Sequence, residues 1–563
     1  MIATDDAKAL IAQGDHLFSK RGTLLSMWQD LADNFYPERA DFTATRSLGD
    51  DFASHLTTSY PLLIRRDFGN SLGTMMRPNS IEWFHMRCKD DDDYEDQPGK
   101  EWLEWATGIQ RRAMYDRRSL FTQASKEADH DIATFGQAVK SVTLNKAADG
   151  LLYRCWHLRD CAWAMNDEGQ IDTMHRKWKA TARDLSRIFG GRIHSKVTDM
   201  LSGPSKNPFG EVNVRHIVVP ADFANGLEYL GKKRDVPFVS LFIDVDNMHC
   251  MEVVGRAYFE YVVPRWQTIP GTPYATSPAT IVGLPDARLI QAMTYTLLEA
   301  GEMATRPPTA VVGEALRSDL AWFAGGITYL AEDYDERTGQ AIRPFPLDKS
   351  GIPFGLDMAQ DQRLMLREAF YLDKLTLPMN TPEMTAYEVS QRVSDYIRQA
   401  APIFEPLEDQ DNATTCDKTF EVLLRGGAFG AHADIPQSLK KYISPGWVDV
   451  EVGFRFESPL HDAIERQKGV RFNEALQMLS QTLPVFPEAS AELNFREAFR
   501  DAMSGVGIPA KWRNSEEEAD AIVKQQKAQV EMANTLGTLE QGAGIAKTLG
   551  EVAPGGDAMG IAA

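Results

Sequence analysis

Two short stretches hold the residues whose types and spacing could do chemistry. Gly226-Leu-Glu-Tyr-Leu-Gly231-Lys232-Lys233 nearly has the glycine spacing of a phosphate-binding loop. Such a loop needs a strand leading into it and a Ser or Thr after its lysine to hold magnesium. Here Lys233 stands in place of the hydroxyl and Ala221-Asp-Phe-Ala-Asn precedes, so a turn with a surface lysine pair is the simpler account. Asp244, Asp246, His249 and Glu252 fall within nine positions and could be drawn as metal ligands, which would suit a metal-dependent hydrolase using Asp244, Asp246 and His249. Alternation along a strand would set Asp244 and Asp246 on one face. Asn247, Met248 and Cys250 provide no glycine turn of the calcium-loop kind, and a polar strand end explains the cluster more simply. His-Glu-x-x-His is absent from the sequence. Cys88, Cys155, Cys161, Cys250 and Cys416 form no Cys-x-x-Cys pair and fit a reducing compartment. No catalytic constellation stands out, so no catalytic residue, metal or cofactor is expected.

The elements that would position any site are helical at first. Thr23 is placed to cap a helix through Leu24, Trp28, Leu31 and Phe35, which Pro37 stops. A second helix is expected from Ser59 to Leu72, ended by Arg77-Pro78-Asn79, and others from Glu101 to Tyr115 and Ser119 to Thr134. The acidic run Asp90 to Asp93, with Glu95 and Asp96, reads as a solvated loop. Strands are expected over Val212–Val219, Phe238–Val245 and Val253–Val263, rich in β-branched and aromatic residues. Val448, Val450, Val452, Phe454 and Phe456 alternate with Asp449, Glu451 and Arg455, which predicts one half-buried strand.

Two long unbroken helices are expected over Asp286–Ala300 and Asp357–Thr376, the second about 30 Å long at 1.5 Å per residue. Some fifty residues of β character and turns lie between them. Thr381 as N-cap followed by Pro382 opens a third helix, to Ala400. Ser515 and Glu518 form a capping box for a polar helix to about Leu536, and a glycine-rich tail follows.

The chain has 563 residues, 60 basic against 80 acidic, for a formal charge of −20. Hydrophobic residues at 43% and a mean hydropathy of −0.33 suit a folded protein and exclude wholesale disorder or a collagen-like chain. An acidic chain argues against wrapping nucleic acid through a general basic surface. The N-terminus shows no signal-peptide pattern, and Val236–Val245, the most apolar stretch, is too short to span a bilayer. Folding in a cytoplasm without membrane insertion is expected.

At Val263-Pro264-Arg265-Trp266 the sequence resembles the portal, or head-to-tail connector, family of short-tailed bacteriophages. The likeness continues through Pro273-Tyr274-Ala-Thr-Ser277-Pro278-Ala279, Leu284-Pro285-Asp286 and Arg306-Pro307-Pro308. Gly325-Gly326-Ile327-Thr-Tyr329 and Met384-Thr385-Ala386-Tyr387-Glu388-Val389 extend it, as do Trp28 to Pro37 and Leu72 to Phe84. Ala275 stands where the family has glycine and Tyr387 where it has a small residue.

The resemblance implies a mixed α+β, predominantly helical portal-type subunit with long stem helices, a β-containing wing and clip, and a helical crown. Its segments would be a wing at 1–284, a first stem helix at 285–306, a clip at 307–356 and a second stem helix at 357–376. A tunnel loop at 377–383 (Leu377, Pro378, Met379, Asn380, Thr381), an inner wing helix and strands at 384–456, a crown at 457–536 and a flexible tail at 537–563 would follow. Such subunits form closed rings, usually of twelve, through head-to-tail interfaces. The ring would sit in the virion at one capsid vertex after assembly in the host cytoplasm. It would pass double-stranded DNA and meet the terminase large subunit, a tail adaptor, the major capsid protein and the scaffold, and would break no bond. Arg363, Arg367 and Lys374 would be candidate channel contacts, with intersubunit salt bridges as the plainer alternative. Another virion structural or ejected protein is the remaining alternative.

Overall fold

A computed structural model describes residues 4–47, 49–51, 53–78, 82–88, 97–203, 206–222, 236–305, 309–311, 342–344, 351–372, 405–430, 435–436, 439–444, 447–450 and 452–456, with helical pieces at 472–481, 494–495, 498–499, 502–503, 512, 519–526 and 529. The chain divides into two compact units. The first comprises Met1–Arg87, Ala106–Asp434 and Val452–Ile464, and the second Cys88–Trp105, Ile435–Glu451 and Glu465–Ala563.

The first unit opens with α1 (Thr4–Lys20) and α2 (Gly22–Phe35), separated by a single residue. That residue, Arg21, is buried and takes the N-cap position without a side-chain cap, so Thr23 lies inside the helix rather than capping it. The reason is a distant tie: the Arg21 guanidinium donates to the carbonyls of Leu158 at 2.7 Å, Cys161 at 2.5 Å and Arg159. Then come α3 (Tyr60–Met76), β1 (Phe84–Cys88), α4 (Gln97–Met114, begun in the second unit) and α5 (Phe121–Phe135).

Strands begin far earlier than the sequence suggests. β2 (Val139–Leu144) and β3 (Leu151–Trp156) form a hairpin that β9 (Tyr261–Val262) joins. β4 (Cys161–Met165), β5 (Ile171–Thr181), β6 (Glu211–Pro220), β7 (Phe238–Asp244) and β8 (His249–Arg256) make an antiparallel meander in that order. Lys140, His175 and Arg176 are buried along these strands, which breaks the apolar alternation that would have announced them. The strand expected over Val253–Val263 is two: β8 ends at Arg256, and β9 crosses to the other sheet.

Ala7, Leu10 and Ile11 of α1 pack with Ile217, Val219, Leu241 and Ile243 on the sheet. A separate cluster joins α6 (Ala182–Phe189) and α7 (Ser195–Ser202) to Val212, Val214 and Met251. The main core gathers Trp28, Phe35, Phe68, Phe135 and Trp163, all nearly inaccessible to water. Two-residue strands β10 (Gln267–Thr268) and β11 (Ala275–Thr276) pair beside it.

A π-helical turn, Ala279–Gly283, runs directly into α8 (Leu284–Thr305). After β12 (Thr309–Val311), which pairs with β13 (Ile342–Pro344), comes α9 (Gly351–Ala369). The helix expected over Asp357–Thr376 therefore starts six residues earlier and stops at Ala369, where Tyr371 turns left-handed at φ 55°. A second π-turn, Glu408–Ala413, leads into α10 (Thr414–Arg425).

The second unit pairs β14 (Lys440–Ser444) with β15 (Trp447–Val450). β16 (Val452–Phe456) belongs to the first unit and pairs with β1. The alternating run 448–456 is thus two strands with different partners. A period of two assigns faces and says nothing about which strand lies alongside. The near phosphate loop at 226–233, the acidic run at 90–96, the helix opened by Thr381, the Ser515–Glu518 box and the glycine-rich tail lie outside the described residues.

Candidate functional site

The helix pair α8–α9 grows from a root built around one glycine. Gly136, just past α5, has φ 75° and takes the left-handed cap position. A Cβ there would lie 2.3 Å from the Thr276 carbonyl carbon and 2.6 Å from the Ser277 nitrogen, so no other residue fits. Its carbonyl accepts from Trp266 N at 2.7 Å, and Ala138 N donates to Pro264 O at 3.3 Å, which lays the segment 264–266 along 136–138. Gln137 Oε1 accepts from Ala275 N at 2.9 Å. Ser277 Oγ donates to Thr134 O at 2.7 Å and fixes the entry to the π-turn. The turn ends at Gly283, where a Cβ would press on Phe370 at 3.1 Å and Phe35 at 3.2 Å.

α8 and α9 run antiparallel, since Gly283 meets Phe370 at one end while Gly355 meets Leu297 along the shafts. At 1.5 Å per residue they are about 33 and 28 Å long. Only the root is sealed. Leu284, Ala287 and Ile290 are the buried residues of α8, and Ala359 and Leu366 those of α9. Beyond Ile290 the shaft carries Tyr295 at 61% and Leu298 at 57% exposure, and α9 carries Phe354 at 68% with Leu356 and Leu364 also exposed. An apolar surface of this extent on a folded protein marks a contact with something else.

A polar collar ties the shafts to the body. The Gln291 side chain accepts from Thr57 N at 2.8 Å and Thr58 N at 3.0 Å and donates to Thr58 O at 3.0 Å. Tyr60 donates to the carbonyl of Arg363 at 3.0 Å, and the Arg363 guanidinium lies 5.7 Å from the Tyr60 ring centre. Arg288 pairs with Asp30 at 3.0 Å, both exposed.

Below the root lies a buried four-charge network. Arg77 donates to Asp411 at 2.9 Å, to Asn412 at 2.9 Å and to Asp129, while Lys140 pairs with the other Asp411 oxygen. Two cations and two carboxylates balance, as buried charges must. Burial raises Asp411, but Lys140 and Arg77 outweigh it and hold this carboxyl below the usual range. Burial pushes Asp129 up despite its contact with Arg77. The network fixes the second π-turn to α3, α5 and β2.

The structure brings several of the motif residues to this root. Arg265 N donates to Gln410 Oε1 at 3.1 Å, and its Nη1 approaches Met165 Sδ at 3.1 Å. Trp266 meets Phe68 edge-on at 5.3 Å and stacks at 6.5 Å on Tyr371, and Tyr274 lies between Trp28 and Trp163. Pro278 precedes the π-turn, Pro285 is exposed, and burial lifts Asp286 in the first turn of α8. Arg363 and Arg367 are exposed on α9. Lys374, Pro307, Pro308, Met384, Thr385, Glu388 and the tunnel-loop residues 377–381 lie outside the described residues.

The supposed metal ligands do not converge. Asp244 caps the β7–β8 turn, accepting from Asn247 N at 3.1 Å and Nδ2 at 2.8 Å. Asp246 accepts from Asn213 at 3.0 Å, Glu252 pairs with Arg192 at 2.7 Å, and His249 faces the Arg192 carbonyl at 2.9 Å. Among the described residues no group of three or more His, Cys, Asp or Glu is arranged to hold a metal ion.

Sequence reasoning missed Gly136, Gln291 and Asp411. A glycine closing the helical periodicity of α5 was a visible signal for the first. The other two act through distant chain segments and leave no local signature.

The sequence profile of a family described as bacteriophage head to tail connecting protein matches residues 7–513. The chain is similar to the portal protein of Salmonella phage epsilon15, with 22% identity over 98% of this chain and 96% of that one. It is also similar to a probable portal protein of Bordetella phage BPP-1, with 21% identity over 98% of this chain and 97% of the other.

Proposed function

We propose a mechanical role for this chain, which belongs to the bacteriophage head to tail connecting protein family. It is a portal subunit that closes with identical copies into a ring at one vertex of the virion head. Likeness to portal proteins over nearly the full length supports the role. The observation on the molecule that carries the ring is the apolar surface of α8 and α9, left in water by a single chain. A neighbouring subunit offering a complementary face would cover it, and repetition by rotation closes the ring.

In this reading α8 and α9 form the stem, the β12–β13 module and its flanking residues the clip that meets the terminase and the tail adaptor, and the residues around 377–383 a constriction of the channel. Twelve copies at −20 each would carry roughly −240, a field that keeps phosphates from adhering where DNA must slide. Arg363 and Arg367 would then make brief contacts or pair with a neighbour. No catalytic step is assigned.

Mass photometry and negative-stain microscopy of the purified protein test this. A closed ring is expected, and Leu298→Asp with Phe354→Asp should reduce it to folded single chains. A wild-type protein that stays monomeric at every concentration and salt overturns the ring. A ring unchanged in the double variant moves the interface elsewhere.

A further inference from the structure

Beside α1, and lined by no residue of the helix pair, a cleft of about 800 Å³ presents five cations, Arg159, Arg176, Lys177, Lys179 and Arg215, against two carboxylates, Asp41 and Asp160. Such an excess of positive charge is out of keeping with a chain of net −20. The two carboxylates are already taken. Asp41 holds His157 and Arg159, and Asp160 accepts from Arg159 at 3.1 Å.

The remaining cations are offset at exposed positions, Lys179 standing 3.8 Å from Glu211 with both side chains largely accessible. Lys177 and Arg215 are direct cross-strand partners of β5 and β6, an arrangement of like charges that weakens a sheet. With Arg21 they surround one aromatic ring, Phe18, at 4.0, 4.9 and 4.6 Å from its centre. The carboxylate that Arg215 does hold is Asp15 at 2.9 Å, itself 61% exposed. The Arg215 side chain is 5% exposed, and its Nε and Nη1 have no hydrogen-bond partner. Nη1 is packed against α1 at Gly14, so the guanidinium adds positive charge beneath the cleft rather than an open donor within it. Burial, then Arg215 and Arg21, pull the Lys177 ammonium below its usual value, with Asp15 and Asp160 acting the other way.

The spacing bears on what the anion is. Lys177 and Lys179 stand two residues apart on one face of β5, about 7 Å along the strand. That step is close to the distance between successive phosphates of a nucleic-acid strand. The aromatic faces nearby are not open for base stacking, because the Arg176 guanidinium lies 3.8 Å from the Trp156 ring centre and within 5.9 Å of Trp178. The contacts on offer are to a backbone and carry no sequence information.

We propose that this cleft binds the phosphate backbone of a nucleic acid, as a local basic site on an otherwise acidic protein. The proposal does not depend on the ring, since the cleft is complete within one chain and its test leaves the helix pair untouched. The experiment titrates full-length protein with a fluorescently labelled duplex at several salt concentrations. Wild type is compared with Lys177→Gln/Lys179→Gln, two exposed positions where folding is not at stake, as a thermal unfolding scan verifies. Losing two phosphate contacts should weaken binding about tenfold and flatten the log–log salt slope by about 2. Equal binding by the double variant overturns the proposal. Lysine-dependent binding of poly-glutamate but not of duplex also overturns it, in favour of an acidic peptide. Binding of inorganic phosphate without any binding of duplex overturns it in favour of a small-anion site.

Discussion

In the body of the first unit Trp28, Phe35, Phe68 and Trp163 seal one another from water, whereas along α8 and α9 Tyr295, Leu298, Phe354 and Leu364 stay exposed. Both regions are rich in large apolar side chains, so composition does not separate them. The body closes on itself and carries even its charges inside, as the Arg77–Asp129–Asp411–Lys140 network shows. The helix pair has a sealed root and unsealed shafts. A region of the first kind is closed within a single chain, and in the proposed ring one of the second kind would be finished by a neighbour.

The largest effect that would break this comparison falls on the network. Asp411→Ala leaves Arg77 and Lys140 buried with too little negative charge, and should cost about 3–5 kcal/mol of stability in urea unfolding. Phe354→Asp, at an exposed shaft position, should change the single-chain unfolding free energy by less than about 0.5 kcal/mol while weakening assembly. Equal losses of stability in the two variants would mean that the shafts are as self-contained as the body.

The same contrast governs what could be read in the sequence. The shafts were legible because their helical periodicity is local: it located both, missing α8 by two residues at its start and five at its end and α9 by six and seven. The body was not. β5 is paired on both sides within its sheet, yet its run His175-Arg-Lys-Trp-Lys179 carries buried His175 and Arg176, and a partner such as the Tyr261 hydroxyl, 3.0 Å from Arg176 Nε, comes from 85 residues away. The fragments 264–266, 273–278 and 284–286 stood out only as a family likeness, and that they meet across Gly136 depends on pairing that no local pattern encodes.

A pH titration sharpens the comparison at an intermediate scale. Burial, and after it Arg215, pulls His175 down to about 3, while burial and Arg65 pull His130 down to about 4. Each stays neutral when folded but accepts a proton near pH 6.5 when unfolded. Their contribution is therefore complete above about pH 6.5 and is lost as pH falls toward 4 for His130 and 3 for His175. Between pH 7 and 5 this amounts to about 2 kcal/mol for His175. Replacing it with Gln should flatten the pH dependence of unfolding by that amount. An unchanged slope would place the body's acid sensitivity in its carboxylates instead.

The smallest effect lies in the collar, where body and shaft meet, and it separates two kinds of polar tie. Gln291 accepts from two backbone amides and donates to a carbonyl, all in the segment Thr57–Thr58, and these groups are partly buried. Gln291→Ala strands them, so about 1–2 kcal/mol should be lost and the Thr57 and Thr58 amides should exchange faster with solvent. Arg288 and Asp30 are an exposed ion pair one turn away, with side chains 55% and 54% accessible, and water replaces either partner at little cost. Arg288→Ala should therefore change stability by less than about 1 kcal/mol and leave amide exchange at 57–58 unaltered. If the two variants behave alike, the shafts are held by their apolar root at Leu284, Ala287 and Ile290, and the collar only follows it.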